Sequence, residues 1–276
     1  MGSAIADSIK NEFDLFVFDK DASKTNYFIS GINVLNNLKD LLDKADTIII
    51  AVKPQDLDEA LTVIKGNVKN KLIISIVAGK STKYIEGRLG KVKVIRVMPN
   101  LPAKVKKGAS CISKGRYVNK LSDLVLVEYI FRRLGKIQRI KEDMMNEATV
   151  VSGSGPGYYY RFCPKAYDKP GKLIAFEKNY FIPALSASAQ EIGFSKKQAD
   201  LLAEATAEGS RILLQKTRLS PDKLKEQVAS KKGTTEAALK VFKRKGARYP
   251  SKKIPDKKVW KKAVRAALKR AQELSR

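Results

Sequence analysis

The chain has 276 residues and carries 55 lysines and arginines against 28 aspartates and glutamates, a formal charge of +27. That length supports a substantial buried core in one large domain or two and excludes a disordered tail, while the basic excess makes a polyanion such as nucleic acid the first partner to weigh. No histidine occurs, which removes Ser-His and Cys-His dyads, imidazole metal ligands and histidine acid–base chemistry together.

The positive residues run from Lys10 to Arg276 and are densest at Lys252, Lys253, Lys257, Lys258, Lys261 and Lys262. No zinc-finger, RNP or basic-zipper pattern accompanies them, so they read as a solvated basic surface. Cys111 and Cys163 form no C-x-x-C pair and suit a reducing cytosol. No apolar run reaches the roughly 18 residues of a membrane span, and the first residues carry no secretory pattern. The expectation is a soluble cytoplasmic protein without a metal site.

In chain order, apolar β-rich runs fall at residues 13–18, 47–52, 72–77, 92–97, 109–112 and 136–140, separated by helical patterns. Runs such as Thr47-Ile48-Ile49-Ile50-Ala51-Val52 are continuously apolar, as in a parallel sheet covered by helices on both faces. The first half is thus a doubly wound α/β domain whose ligand edge, beyond the strand carboxyl ends, holds Asp19, Ala51, Val52, Lys53, Pro54, Ala78, Gly79 and Asn100. From about Lys141 helical spacing takes over. Residues 179–192 form one helix ending at Gly193, and Ser195 caps another reaching about Lys216. Ser220-Pro221-Asp222 opens a third, Thr234 or Thr235 caps a fourth, and residues 257–274 form a last one with Trp260, Val264, Ala267, Leu268 and Ala271 on one face. The domains expected are 1–141 and 142–276, and spacing alone leaves open whether the helical one dimerises or is a self-contained bundle.

Residues 159–179 fit neither pattern and read as an excursion ending in a turn at Asp168-Lys169-Pro170-Gly171. Its Tyr159, Tyr160, Tyr167 and Phe176, interleaved with Arg161, Lys165 and Lys172, suit packing on their own domain better than base stacking.

Four segments carry chemistry. Val151-Ser152-Gly153-Ser154-Gly155-Pro156-Gly157-Tyr158 reads as a glycine-rich turn entering a helix at a proline, with free N–H groups able to hold a carboxylate; by itself such a stretch is more often a linker. Ala51-Val52-Lys53-Pro54-Gln55 and Met98-Pro99-Asn100-Leu101-Pro102 end strands at the ligand edge, where Lys53 is otherwise a solvated lysine and Asn100 either bonds a carboxamide or closes its own turn. Val228-Ala229-Ser230-Lys231-Lys232-Gly233-Thr234-Thr235 places glycine and hydroxyls at a second helix start, where Thr235 is otherwise a plain cap.

In this order, Ala51-Val52-Lys53-Pro54-Gln55, Val97-Met98-Pro99-Asn100, Ser152-Gly153-Ser154-Gly155-Pro156 with Tyr158, and Gly233-Thr234-Thr235 resemble pyrroline-5-carboxylate reductases over nearly the whole chain. The resemblance implies a Rossmann-like domain followed by an all-α dimerisation domain, and reduction of 1-pyrroline-5-carboxylate to L-proline, the last step of proline biosynthesis, by hydride from a nicotinamide cofactor. It implies a homodimer or dimer-based assembly. Thr235 and Thr234 become the catalytic pair, with Val228, Ser230, Gly233, Ser152, Gly153, Ser154 and Gly155 at the substrate. Gly2, Ser3, Asp19, Asn37, Ala51, Val52, Lys53, Pro54, Ala78 and Asn100 fall to the cofactor. An iminium is already electrophilic, so positioning rather than a histidine carries the reaction.

The chain departs from that family at several points. It begins inside the G-x-G-x-x-G motif, with Gly2 as the last glycine, so a first strand is expected to be missing from the sheet and cofactor binding to be impaired; a misplaced start codon or a truncated sequence is the expected cause. Lys231-Lys232 replaces the usual Pro-Gly and Leu101 the usual Thr, and residues 159–180 look like an insertion. Asp19 favours NADH whereas Lys20 and Lys24 favour the 2′-phosphate of NADPH, and the lean is to NADPH. The alternatives are a related imine or ketone reductase, and a catalytically inactive basic protein that binds nucleic acid.

Overall fold

The apolar runs of the first half become strands of two sheets in the computed structural model, which describes all residues except 27, 29, 30, 165–168, 245–255 and 276. The strands are β1 (Phe16–Val17), β2 (Asn33–Val34), β3 (Thr47–Ile50), β4 (Leu72–Ser75), β5 (Lys93–Met98), β6 (Gly108–Lys114) and β7 (Gly135–Arg139). The last five form one sheet in the order β3-β4-β5-β6-β7. All its pairs are parallel except β5 with β6, which corrects the all-parallel expectation. The link from β5 to β6 contains no crossover helix, so β6 returns antiparallel.

Helices α1 (Gly2–Ile9), α2 (Leu38–Lys44), α3 (Leu57–Ile64), α4 (Thr82–Leu89) and α5 (Leu121–Arg132) belong to this half. Successive strand residues face opposite sides. Leu72, Ile74, Ile95 and Val97 pack with Ile5, Ile9, Ile130 and Phe131 of α1 and α5, while Ile73 and Val94 pack with Leu57, Leu61, Ile64 and Ile85 of α3 and α4. Helices on both faces make the domain doubly wound.

The run at 13–18 pairs over two residues only, Phe16 with Asn33 and Val17 with Val34. Among the described residues this small sheet is not hydrogen-bonded to the large one, and β3 has a strand on one side alone. A strand grows by the ladder its neighbour offers, so two short partners stay short.

Every strand described lies before Ile140. The later helices are α6 (Met145–Ala148), α7 (Gly155–Phe162), α8 (Pro170–Phe176), α9 (Ile182–Glu191), α10 (Lys196–Thr217), α11 (Pro221–Val228), α12 (Thr234–Arg244) and α13 (Lys257–Leu274). Gly193 ends α9 at φ +109°. Ser195 and Gln198 form a reciprocal capping box on α10, and Ser220 caps α11. Trp260, Val264, Ala267 and Ala271 of α13 are buried together with Leu202, Ala203 and Leu213 of α10.

Two expectations need correction here. Residues 149–153 form a π-helical turn ahead of α7, which starts at Gly155 with Pro156 in its first turn as expected, so the glycine-rich stretch enters that helix from a helical turn instead of an open one. Residues 159–162 and 170–181 are likewise helical rather than an irregular excursion. Lys165, Tyr167 and Asp168 lie outside the described residues. Tyr159, Tyr160 and Phe176 are buried, and Tyr159 meets Phe176 and Phe181 edge to face at 5.5 and 5.1 Å, so these rings serve the domain core.

The two halves meet where α10 crosses the turn after β5. At Gly209 a side chain would come within 2.8 Å of Pro102. Arg96 of β5 is buried and pairs with Glu142 at 3.1 Å, tying the sheet to the start of the helical half.

Candidate active site

The glycines of the 152–157 segment serve close approach. A Cβ on Gly153 would stand 3.0 Å from Met98 Cε, and one on Gly155 2.7 Å from Thr206 Cγ2. One on Gly157 would stand 2.5 Å from Thr235 Cγ2 and 3.3 Å from Val228 Cγ1. The segment therefore sits against β5, α10, α11 and α12 at once. Three of its N–H groups are engaged, where an open turn would leave them free: Ser154 N–H donates to Thr149 O at 2.8 Å, while Gly157 and Tyr158 N–H donate to Ser154 O at 2.9 and 3.3 Å. The π turn arises because Ser154 reaches back five residues, and single π turns of this kind recur at functional sites.

Asn100 ties this segment to the sheet. Its Nδ2 donates to Ser152 O at 3.2 Å and its Oδ1 accepts from Ala109 N at 2.8 Å. Ser152 Oγ donates to Ala109 O at 3.1 Å, and both side chains are buried. Asn100 thus bridges β6 and the π turn, instead of closing its own turn. Ser154 Oγ lies 3.0 Å from Thr234 Oγ1, which brings together the two segments expected to face each other.

Helix α12 starts at Thr234, so Thr234 and Thr235 are its first two residues rather than its cap. Its first helical bond runs from Ala237 N–H to Gly233 O at 3.2 Å, which leaves the N–H groups of Thr234, Thr235 and Glu236 without a helical acceptor. Those groups and the helix dipole are able to attract an anion beside Ser154. Thr235 is 3% exposed. Its methyl occupies the space beside Gly157 and Val228, which fixes the hydroxyl's direction. Ser230 O accepts from Gly233 N at 3.0 Å, so the Gly233 amide is already used.

At the ligand edge of the sheet, Ala51, Val52, Lys53 and Pro54 are exposed beyond the carboxyl end of β3. Gly2, at the start of α1, abuts them: a Cβ there would stand 3.0 Å from Ala51 Cβ. The first helical bond of α1 is Ile5 N–H to Met1 O at 3.1 Å, so the Gly2, Ser3 and Ala4 amides open toward the same edge. Ala78 follows β4 and is half-buried, with Gly79 beside the Leu274 carbonyl. Asn37 is exposed and caps α2 through Asp40 N–H at 2.8 Å. Asp19 Oδ1 accepts from Asp21 N at 3.0 Å, with Lys24 Nζ 3.7 Å away. Lys20 bridges Asp56 and Glu59, each at 3.1 Å. A dinucleotide fits this edge in its glycine at the helix start and its open strand end.

Three contributors escaped the sequence reading. Thr206 of α10 packs on Gly155, Glu236 accepts from Lys232 N–H at 2.7 Å, and Arg270 Nε donates to Lys232 O at 2.7 Å. Thr206 and Arg270 reach the site from distant helices without a local motif, whereas Glu236, two residues into α12, matches the acidic first-turn pattern of helix starts.

The chain thus pairs a nucleotide-type sheet edge in its first half with a hydroxyl-lined helix start in its α-helical second half. Residues 1–79 match the family described as NADP oxidoreductase coenzyme F420-dependent, and residues 174–274 match pyrroline-5-carboxylate reductase dimerisation. The chain belongs to the pyrroline-5-carboxylate reductase family: the Arabidopsis thaliana enzyme of that name is 32% identical over 246 residues, 89% of this chain and 79% of the relative. Pyrroline-5-carboxylate reductase 2 of Bacillus subtilis is 31% identical over 71% of this chain, which spans 64% of that relative's length. The crystal structure of the Plasmodium falciparum reductase with NADP bound superposes with a TM-score of 0.60 at 27% identity, covering 100% of this chain and 95% of that one.

Proposed function

We propose that this chain reduces 1-pyrroline-5-carboxylate to L-proline, with NADPH preferred over NADH, as a cytoplasmic homodimer in proline biosynthesis. The observation that carries the reading is the Ser154–Thr234 hydroxyl contact at 3.0 Å, which sets the anion-binding start of α12 beside the β5 edge. The bound nicotinamide supplies hydride. The free first-turn amides of α12 hold the substrate carboxylate, and the Thr235 hydroxyl, aimed by the packing of its methyl, bonds the ring nitrogen. Buried Asn100 keeps the π turn and β6 in register, so the ring lies between cofactor edge and helix. The nitrogen's proton comes from solvent or substrate, consistent with a site that holds no histidine.

The charge of +27 attracts both anionic ligands at long range. Lys24 and Lys20, near the end of β1, support NADPH, because exposed ion pairs such as theirs are weak and yield to a phosphate. The two cysteines are buried and unbridged, in keeping with a reducing compartment, and no helix among the described residues is long and apolar enough to cross a membrane. The match of residues 174–274 to a dimerisation family supports the homodimer, with residues 142–276 as its helical domain.

The test is steady-state oxidation of NADPH and NADH by the full chain with pyrroline-5-carboxylate. Turnover with proline as product is expected, and Thr235→Ala is expected to lower kcat/KM by about 10- to 100-fold, the worth of one hydrogen bond made to the reacting nitrogen. No proline formed with either cofactor would refute the assignment.

A further inference from the structure

The turn that leads into α12 is made of residues ill-suited to its backbone. Ser230 O accepts from Gly233 N at 3.0 Å, closing a four-residue turn. Lys232 has φ +58°, while Lys231 keeps a negative φ. A turn with only its third residue left-handed is of type II, which favours proline second and glycine third. Here both positions are lysine, and the Lys232 Cβ crowds its own carbonyl.

Both backbone polar groups of Lys232 are gripped by charged side chains. Its N–H donates to Glu236 Oε2 and its carbonyl accepts from Arg270 Nε, each at 2.7 Å. Each gripping side chain is itself braced: Arg270 Nη1 donates to Glu273 Oε2 at 2.8 Å, and Glu236 pairs with Lys240 at 3.3 Å. The two bonds to Lys232 are charge-assisted, and hydrogen bonds of that kind are stronger than neutral ones. Arg270 comes from α13, so the packing of α13 on α12 sets the shape of the turn.

We propose that Glu236 and Arg270 are positioning residues that clasp Lys232 in its left-handed state and so aim the Thr234 and Thr235 amides at the substrate carboxylate. The substrate's identity rests on the function proposed above, and neither residue touches the anion. The clasp does for this turn what proline and glycine would do by intrinsic preference.

The test is Arg270→Ala in the full chain. The KM for pyrroline-5-carboxylate is expected to rise about tenfold, the equivalent of one charged hydrogen bond, with kcat and the KM for NADPH within about twofold of the parent. Adding Lys231→Pro and Lys232→Gly to Arg270→Ala is expected to restore the substrate KM, since the turn then holds itself. Amide hydrogen exchange at residues 233–236, read without substrate, is expected to quicken in Arg270→Ala and slow again in the triple variant. Unchanged exchange and unchanged KM in Arg270→Ala, or no rescue by the proline and glycine, would overturn the clasp. Because exchange needs no turnover, it judges the clasp even if the chain does not reduce pyrroline-5-carboxylate.

Discussion

Replacing Gly155 by alanine probes whether the π turn is held by steric fit against α10. The added Cβ would lie 2.7 Å from Thr206 Cγ2 and 3.5 Å from Leu185 Cδ2. Carbon atoms rest at about 3.5–4.0 Å, so the threonine methyl must retreat by roughly 1 Å. It has nowhere to go: Thr206 is 0% exposed, and a β-branched side chain on a helix has few rotamers. Overpacking of this kind costs about 1–3 kcal/mol. If α7 yields instead, Ser154 moves away from Thr234, and a displacement of about 1 Å at a reacting centre is worth up to about 100-fold in rate. Denaturant unfolding and kcat/KM should therefore both fall in Gly155→Ala, by about 1–3 kcal/mol and at least about tenfold. Thr206→Ser deletes the offending methyl and keeps the hydroxyl. Combined with Gly155→Ala it should recover about half or more of both losses, as a positive coupling in a double-mutant cycle. Gly155→Ala with parental stability and rate, or a combined variant no better than Gly155→Ala, would refute the reasoning.

Asn100→Ala strips partners from Ala109 N–H and Ser152 O in a buried setting, so urea unfolding should show a loss of about 2–4 kcal/mol, with kcat/KM lowered alongside. Burial pushes the Glu147 carboxyl above its ordinary range, and its Oε2 is buried without a hydrogen-bond partner. A folded-state value above the unfolded one favours the native chain at low pH, and this contribution fades as pH rises through the folded value. Glu147→Gln should accordingly melt higher than the parent at pH 8, with the gap closing below about pH 4.5; a gap that widens in acid would contradict the sign. Lys24→Ala should lower the preference for NADPH over NADH about tenfold in kcat/KM ratios, and an unchanged ratio would remove Lys24 from the phosphate site.

Most elements were legible because their signals are local. The strand at 47–50 announces itself by four consecutive apolar or β-branched residues, and α13 by an apolar face of Trp260, Val264, Ala267 and Ala271 that the structure buries. Ser195 with Gln198 marks a helix start by the capping box alone. In the 152–157 segment the helix start at Gly155 and Pro156 was legible, whereas the π turn ahead of it was not, because glycine and serine favour open turns in isolation. Its close packing rests on Gly155 and Gly157 admitting Thr206 and Thr235, side chains far away in the chain, and no window around residue 155 contains that information. Arg270 stayed hidden for the same reason, its partner lying 38 residues back. The candidate site was legible as a list of motifs, and the juxtaposition of Ser154 with Thr234 followed from their shared chemistry; the division of labour between bridging Asn100 and the open amides of α12 did not.

Trp260 is the only tryptophan in the chain. It is 1% exposed, 6.1 Å from the Tyr158 ring and 5.1 Å from Phe242. Its fluorescence is therefore a native optical reporter confined to the helical half. Emission should be blue-shifted while α13 is seated and should move to the red when water reaches the indole. Far-ultraviolet dichroism follows both halves, so comparing the two signals in one titration would show whether they unfold together or in sequence, without any label.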